Sequence, residues 1–190
     1  MSSHHVIREK QEPALLVLSM DTFDDELLGQ LLEWSPTVIV TQNTAEKMHA
    51  WGIKIDWIIS NNIIDGLQSD IKYLPAGTDS PAEAAMKYLV TNNYPAVNII
   101  TDEVQLKDYM IFADKITLVI HSGNQKIYPV NSGFSKWKPA GEVIEVLTHP
   151  HELHTGGLEF IDNNRFKTIQ DGFFTLQFDE PFLFIAEDIN

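Results

Sequence analysis

Short apolar runs alternate with helical patterns over the first half of the chain. Three runs are mostly apolar or β-branched, as buried strands are, and they stand at Ala14 to Ser19, Thr37 to Thr41 and Trp57 to Ser60. The leucines between Asp24 and Leu32 recur at helical spacing, and a second helix is predicted from about Thr44 to Trp51, with Gly52 after its end. Strands that alternate with helices in this way predict a mainly parallel sheet with crossover helices.

A third helix has the clearest start signal in the sequence. Ser80 can accept a backbone N–H group, Pro81 fits the first helical turn, and Glu83 stands where it completes a capping box. The pattern extends this helix to about Thr91, and the apolar run from Ala96 to Thr101 predicts the next strand.

The pattern changes in the second half of the chain. Short β-rich runs separated by Gly, Asn and Pro follow one another at Ile116 to His121, Gln125 to Val130, Gly141 to Leu147, Gly157 to Ile161 and Phe173 to Phe178. Such spacing is typical of an antiparallel β-sandwich. We therefore predict an α/β protein with an N-terminal Rossmann-like domain over residues 1–114, whose sheet is mainly parallel, and a C-terminal antiparallel β-sandwich over residues 115–190.

Charge and cysteine content exclude several classes of protein. The 190 residues include 13 Lys plus Arg against 27 Asp plus Glu, and the resulting formal charge of -14 disfavours binding to a nucleic-acid backbone. Without cysteine the chain has no disulfides, thiolate catalysis or Cys-ligated zinc. The apolar run from Ala14 to Met20 is too short for a bilayer, which needs roughly 20 residues, and no cleavage pattern follows it. We expect a cytoplasmic protein with no membrane or nucleic-acid partner.

One segment carries a resemblance to a known family. Gly52 to Ile63 reads Gly-Ile-Lys-Ile-Asp-Trp-Ile-Ile-Ser-Asn-Asn-Ile. It resembles the run Gly-Ile-x-Pro-Asp-x-Ile-x-Gly-Asp-Phe-Asp-Ser of the thiamine pyrophosphokinases, whose α/β half also precedes a β-sandwich. Further segments match that family in the same order, namely Thr78-Asp79 before a helix, Thr155-Gly156-Gly157-Leu158-Glu159-Phe160, and Gly172 through Phe184. The resemblance covers most of the chain from about Leu15 onward.

The resemblance implies a reaction, but the sequence departs from the family at its acids. Members transfer a pyrophosphoryl group from ATP to thiamine, with magnesium and its carboxylates supplying much of the catalysis. Three positions that are acidic in the family are Gln42, Asn61 and Ile63 here. The segment from Asp102 to Asp108 also lacks the Arg and His of the family's Gly-Gly-Arg-x-Asp-His run. We therefore predict a catalytically impaired relative, with magnesium and ATP as cofactors only if the family activity survives.

Two matched positions are candidates for a retained role. The resemblance makes Asp79, preceded by Thr78, the one acid of the catalytic set that carries over; alternatively, the pair only leads into the Ser80 cap. Phe160 occupies the position of the ring that stacks on the pyrimidine of thiamine in the family. Alternatively, it is an alternating core residue of its strand.

Three further clusters have both a functional and a structural interpretation. The loop of His149, His151, Glu152 and His154 is either a metal site or a solvated hairpin loop. Lys136-Trp137-Lys138 is either an aromatic site for an anionic ligand or a half-exposed Trp at a strand end. The loose acidic group of Asp102, Glu103, Asp108 and Asp114 is expected to be a solvated surface.

The resemblance also implies a partner. It implies a homodimer that binds thiamine or a similar small molecule between the α/β half of one subunit and the sandwich of the other. The apolar side chains that such an interface could bury include Phe173, Phe182 and Phe184. Two other functions remain open. One is an active thiamine diphosphokinase that holds magnesium with Asp65 or Asp70, and the other is an interaction module unrelated to thiamine.

Overall fold

The computed structural model describes residues 12–62 and 70–189. Their strands form a large mixed sheet and a second, smaller antiparallel sheet. The chain divides into two compact units, of which the first ends at Leu118 and the second begins at Val119. No helix among the described residues is long and apolar enough to cross a membrane.

The first unit is built from alternating strands and helices. Its described elements are β1 (Ala14–Val17), α1 (Asp25–Leu32), β2 (Val38–Thr41), α2 (Gln42–Ala50), β3 (Trp57–Ile59), β4 (Lys72–Leu74), α3 (Pro81–Thr91), β5 (Ala96–Ile100) and α4 (Lys107–Met110). The strands pair in the order β5-β1-β2-β3-β4, and each of these pairs is parallel. The predicted parallel sheet is therefore confirmed, and the carboxyl ends of its strands meet at one edge.

Local sequence explains where two of the helices begin. Asp24 precedes α1 and its carboxylate accepts the Leu27 N–H group at 2.9 Å. Ser80 precedes α3 and its hydroxyl accepts the Glu83 N–H group at 3.1 Å, with Pro81 in the first turn as predicted. Because α3 buries Ala85, Met86 and Leu89, its apolar face anchors it in the first unit.

Three elements of the first unit, α2, β4 and the one-turn helix α4, differ from the prediction. Helix α2 begins at Gln42 rather than Thr44. Thr44 lies in the first turn of this helix, and the buried Thr44 hydroxyl donates to the Val17 and Thr41 carbonyl oxygens, each at 3.1 Å. Strand β4 was not predicted, because three residues beginning with exposed Lys72 give no alternation to detect. The consequence is that α2 follows β2 directly and places Gln42 at the carboxyl edge of the sheet.

The second unit is all β in its described part. Strand β6 (Thr117–Ser122) crosses the boundary between the units, and the others are β7 (Gln125–Val130), β8 (Phe134–Lys138), β9 (Val143–Val146), β10 (Leu153–Gly156), β11 (Leu158–Asp162), β12 (Arg165–Thr168), β13 (Gly172–Phe178) and β14 (Leu183–Asp188). One antiparallel set has the order β11-β12-β9-β14-β7-β6 and the other the order β10-β13-β8.

The core of the second unit draws apolar side chains from both strand sets. Ile144 and Ile185 come from the larger set, and Phe174 and Leu176 come from β13 of the smaller one. The predicted antiparallel pairing is confirmed, although β8, β10, β12 and β14 were not predicted as separate strands. Strand β8 shows why, because Lys and Ser occupy three of its five positions and hide the apolar alternation.

Candidate functional site

The carboxyl ends of β2 and β3 bring together Gln42, Ser60 and Asn61. Gln42 begins α2 immediately after β2, and Ser60 and Asn61 follow β3. The Ser60 Oγ atom lies 3.3 Å from Gln42 Oε1 and 2.8 Å from the Asn62 carbonyl oxygen. Open parallel sheets bind ligands at this edge. Gln42 and Asn61, two of the three positions at which the sequence departs from the family's acids, therefore lie where a substrate site is expected. The third, Ile63, lies outside the described residues.

The loop before α3 closes over the same edge. Asn61 Oδ1 accepts the Gly77 N–H group at 3.2 Å, and Thr78 is the next residue and is exposed. Asp79 accepts a hydrogen bond from Lys87 Nζ at 2.7 Å, and this ion pair offsets its negative charge. The side-chain oxygens of Gln42 and Asn61 and the carboxylate of Asp79 thus all have partners within the chain.

This set of side chains does not fit a magnesium ion. Magnesium needs nearly octahedral oxygen coordination with one or two carboxylates, usually shared with substrate phosphates. Gln42 and Asn61 are neutral, and Asp79 already faces an ammonium group. Within residues 12–62 and 70–189, no three His, Asp or Glu side chains are placed to hold a metal.

Asp70 cannot replace the missing acids at this edge. Asp70 precedes β4. The pKa of Lys54, which lies before β3, is raised mainly by the hydrogen bond of its ammonium group with Asp56, and the nearby charge of Asp70 raises it further. Both positions are at the amino ends of the strands. At about 3.3 Å per residue, Asp70 is roughly 13 Å from the carboxyl end of β4 at Leu74. The other proposed replacement, Asp65, lies outside the described residues.

Sequence reasoning missed the role of Asp102 at this edge. Its carboxylate accepts the N–H groups of Asp21 and Thr22, each at 3.0 Å, and the Thr22 hydroxyl at 2.7 Å. Its own N–H group donates to Ser19 Oγ at 2.7 Å. The expectation of a solvated acid was therefore wrong for Asp102, which joins the loops after β1 and β5. The available signal was its position just after a buried strand, because adjacent parallel strands end at the same edge.

Asp108 is a second correction to the expected acidic surface. Its carboxylate accepts a hydrogen bond from Ser80 Oγ at 3.0 Å, so the hydroxyl that caps α3 also connects to α4. Glu103 is exposed, as expected of a solvated acid.

The hydrogen bonds to Asp102 predict how the free energy of unfolding depends on pH. Burial works to raise the pKa of Asp102, but hydrogen bonds from Thr22, Asp21 and Ser19 outweigh it and lower that pKa from 3.8 to about 2. The stabilisation is therefore present above pH 4 and is lost as pH falls towards 2. We expect Asp102→Asn to lower the free energy of unfolding at pH 7 by roughly 1–2 kcal/mol and to flatten its decline between pH 4 and 2. Urea unfolding measures both.

Glu103→Gln is the matched control for this measurement, because it removes a neighbouring exposed carboxylate. It should leave both the stability and its pH profile unchanged. Equal profiles for Asp102→Asn and the native chain would contradict the bridging role.

The second unit exposes the ring of Phe160. The side chain is 65% exposed on β11 and contacts Phe166 with a ring-centroid distance of 5.7 Å. The alternative interpretation of Phe160 as a core residue is therefore wrong. Its ring is available to a ligand or to another subunit.

The paired glycines before Phe160 have a steric explanation. A Cβ on Gly157 would lie 2.8 Å from the Phe173 carbonyl oxygen, and its φ of +72° also favours glycine. A Cβ on Gly156 would lie 2.5 Å from Thr175 Oγ1. Both glycines thus permit close packing against β13.

The three histidines of the candidate metal loop contact different partners. His149 Nδ1 lies 2.8 Å from Asn164 Nδ2, His151 Nδ1 lies 3.1 Å from Glu180 Oε1, and His154 Nε2 lies 3.8 Å from Glu152 Oε2. The structure does not bring these imidazoles together, and their arrangement does not fit a metal.

Lys136 and Lys138 bind a buried carboxylate in the second unit. Both form ion pairs with Glu187, which is 4% exposed, and the Lys138 distance is 2.8 Å. Tyr128 donates its hydroxyl to Glu187 at 2.9 Å. Burial works to raise the pKa of Glu187, but hydrogen bonds from Lys136, Lys138 and Tyr128 outweigh it and lower that pKa. Since the lysines are occupied by a buried carboxylate, the Lys-Trp-Lys segment does not present them to an anionic ligand.

Comparison of the sequence with protein-family models and with curated proteins gives no match. Solved structures do match. A probable thiamine pyrophosphokinase from Staphylococcus saprophyticus has a TM-score of 0.67 at 10% identity, covering 94% of this chain and 99% of that one. Thiamine pyrophosphokinase from Bacillus subtilis has a TM-score of 0.64 at 11% identity, covering 94% and 100%. The yeast enzyme has a TM-score of 0.65 at 10% identity, covering 97% and 88%. The chain therefore has the thiamine pyrophosphokinase fold, in a form of widely diverged sequence.

Proposed function

We propose that this chain is a thiamine pyrophosphokinase-like protein that has lost pyrophosphoryl transfer and binds a thiamine-like small molecule as a homodimer. One observation carries the loss of transfer. At the carboxyl edge of the first unit, Gln42 and Asn61 use their oxygens within the chain, and Asp79 is paired with Lys87. A reaction that depends on magnesium and positioned phosphates has too little negative charge there to hold the metal.

The domain organisation belongs to the same proposal. We place a Rossmann-like domain at residues 1–114 and a β-sandwich at residues 115–190. The parallel strands and crossover helices of the first unit support the former. The core cluster that contains both Ile185 and Phe174 supports packing of the two strand sets of the second unit as a sandwich.

The proposed ligand contact is Phe160. Its ring is mostly exposed, and its position matches the ring that stacks on thiamine in the family. The proposed dimer would cover the exposed ring of Phe160. Phe173, also expected there from the sequence, is 69% exposed within its own subunit. The expected contribution of Phe184 is corrected, because that side chain is fully buried within its own subunit, and Phe182 packs against it at 5.9 Å.

Calorimetry with thiamine, and with ATP and magnesium, tests the proposal. We expect thiamine to bind once per chain and ATP with magnesium not to bind, because the phosphate edge lacks its acids. Phe160→Ala should weaken thiamine binding by about two- to tenfold, the range of an aromatic stacking contact. The neighbouring Ile161→Ala, which removes exposed apolar surface without a ring, should not. Light scattering should report twice the chain mass. Absence of thiamine binding, or a monomer, would refute the binding half of the proposal.

A further inference from the structure

The outer face of the smaller sheet of the second unit carries two exposed aromatic rings. Trp137 on β8 and Phe173 on β13 are register partners, so their side chains project from the same face. They are 52% and 69% exposed. The alternate positions Phe174 and Leu176 are buried on the opposite face. The two rings therefore form one solvent-facing aromatic surface.

The three strands β8, β10 and β13 place no lysine or arginine on this face. Side chains alternate along β8, so Lys136 and Lys138 project away from Trp137, towards Glu187. The outward positions of the three strands are Ser135, Trp137, His154, Gly156, Phe173, Thr175 and Gln177. The buried carboxylate thus removes both cations of the Lys-Trp-Lys segment from this surface.

The face ends at a cleft with negative charge. His154 and Gln177 are register partners and line a cleft of about 380 Å³ together with Glu152 and Asp179. Among the described residues Asp179 has no ion-pair partner, and Glu152 has only the imidazole of His154 at 3.8 Å. The volume is within the range of small-molecule sites, roughly 300–1,000 Å³.

Small residues separate the aromatic end from the acidic end. Phe173 and Gln177 are four positions apart on β13, which corresponds to about 13 Å. Between them the outward positions are Thr175, Ser135 and Gly156, and the Thr175 hydroxyl leaves no room for a side chain at Gly156. A slender chain could lie flat on this strip.

We propose that this face binds a linear organic polyamine. One ammonium group lies over the rings of Trp137 and Phe173, the methylene chain crosses the strip of small residues, and a second ammonium group enters the cleft between Glu152 and Asp179. Aromatic faces attract cations, and the carboxylates of Glu152 and Asp179 provide charge complementarity at the other end. The site is separate from Phe160 and goes beyond the proposed function.

A series of aliphatic amines tests the geometry of the site. The diamine putrescine is too short to reach both ends, whereas 1,10-diaminodecane, a diamine of equal charge, and the tetraamine spermine are long enough. In calorimetry at physiological salt, we expect both long amines to bind once per chain and at least fivefold more tightly than putrescine. Affinity that follows ligand charge alone, without regard to length, would overturn the proposal and indicate nonspecific attraction to the acidic chain.

Substitutions at both ends complete the test. Trp137→Ala and Asp179→Asn should each weaken binding of 1,10-diaminodecane about two- to fivefold, whereas Trp137→Phe should retain most of the affinity because it keeps a ring. Glu46→Gln is the control, since it removes one negative charge from an exposed position in the first unit. Equal losses for Asp179→Asn and Glu46→Gln would refute the site. Thiamine binding should be unaffected by Trp137→Ala, which separates this proposal from the one on Phe160.

Discussion

Purified protein incubated with thiamine, ATP and magnesium is expected to form no thiamine diphosphate above the uncatalysed background. Removing one preorganised electrostatic group commonly costs on the order of 10²–10³ in rate. Here Gln42 and Asn61 are neutral, and Asp79 pairs with Lys87 at 2.7 Å. Because these positions would act on a single metal and phosphate site, their losses combine, although not additively. We expect a reduction of at least about 10⁴-fold from an ordinary enzyme, whose turnover is roughly 1–10³ per second.

Two variants make this assay decisive. Asp79→Asn should give the same background as the native chain, because Asp79 alone cannot hold magnesium. Asp65→Asn tests the remaining acid of the alternative function and should also change nothing. Turnover near one per second, or a trace activity that either variant abolishes, would show that a metal site does assemble.

Replacing Glu187 with Gln is expected to lower the free energy of unfolding by about 3 kcal/mol. Removing one partner of a buried ion pair leaves an uncompensated charge, which commonly costs about 3–5 kcal/mol. Lys138 is only 14% exposed and would keep only its longer ion pair with Glu142, at 3.6 Å, while the more accessible Lys136 can turn towards water, so the lower end of that range applies. Urea unfolding followed by tryptophan fluorescence measures the difference.

Glu159→Gln is the matched control for Glu187. It breaks an ion pair with Lys167 of similar length, 2.7 Å, in which both side chains are about half exposed. Exposed pairs contribute about 0–1 kcal/mol, so this variant should be nearly neutral. A loss below about 1 kcal/mol for Glu187→Gln would mean that water reaches the cluster and screens it.

The same cluster predicts how stability depends on pH. Because the pKa of Glu187 is lowered from its ordinary 4.5 in the folded chain, its stabilisation is present above that value and is lost as pH falls below it. The Glu187→Gln variant should therefore lose less stability on acidification than the native chain. Identical pH profiles would contradict the lowered pKa.

Sequence reasoning was sound where neighbouring residues decide the structure. Ser80, Pro81 and Glu83 determine the start of α3, and apolar runs such as Ala14 to Ser19 predicted buried strands. Substituted acids such as Gln42 were visible directly in the chain, so doubt about catalysis needed no coordinates. These features depend on side chains a few residues apart, whose preferences act before any tertiary contact forms.

Other features depend on residues that only the folded chain brings together. Asp102 contacts Thr22 across 80 positions, and Lys136 contacts Glu187 across 51. The position of Asp102 after a buried strand indicates only the edge of the sheet at which it lies. The partners of both charges are set by which strands lie side by side and which face each side chain takes. The alternation along β8 thus decided that Trp137 faces solvent while the lysines beside it face a buried carboxylate. The sequence by itself determined the alternation of strands and helices in the first unit and the neutral side chains at Gln42 and Asn61, whereas tertiary pairing decided which charges are free to meet a ligand.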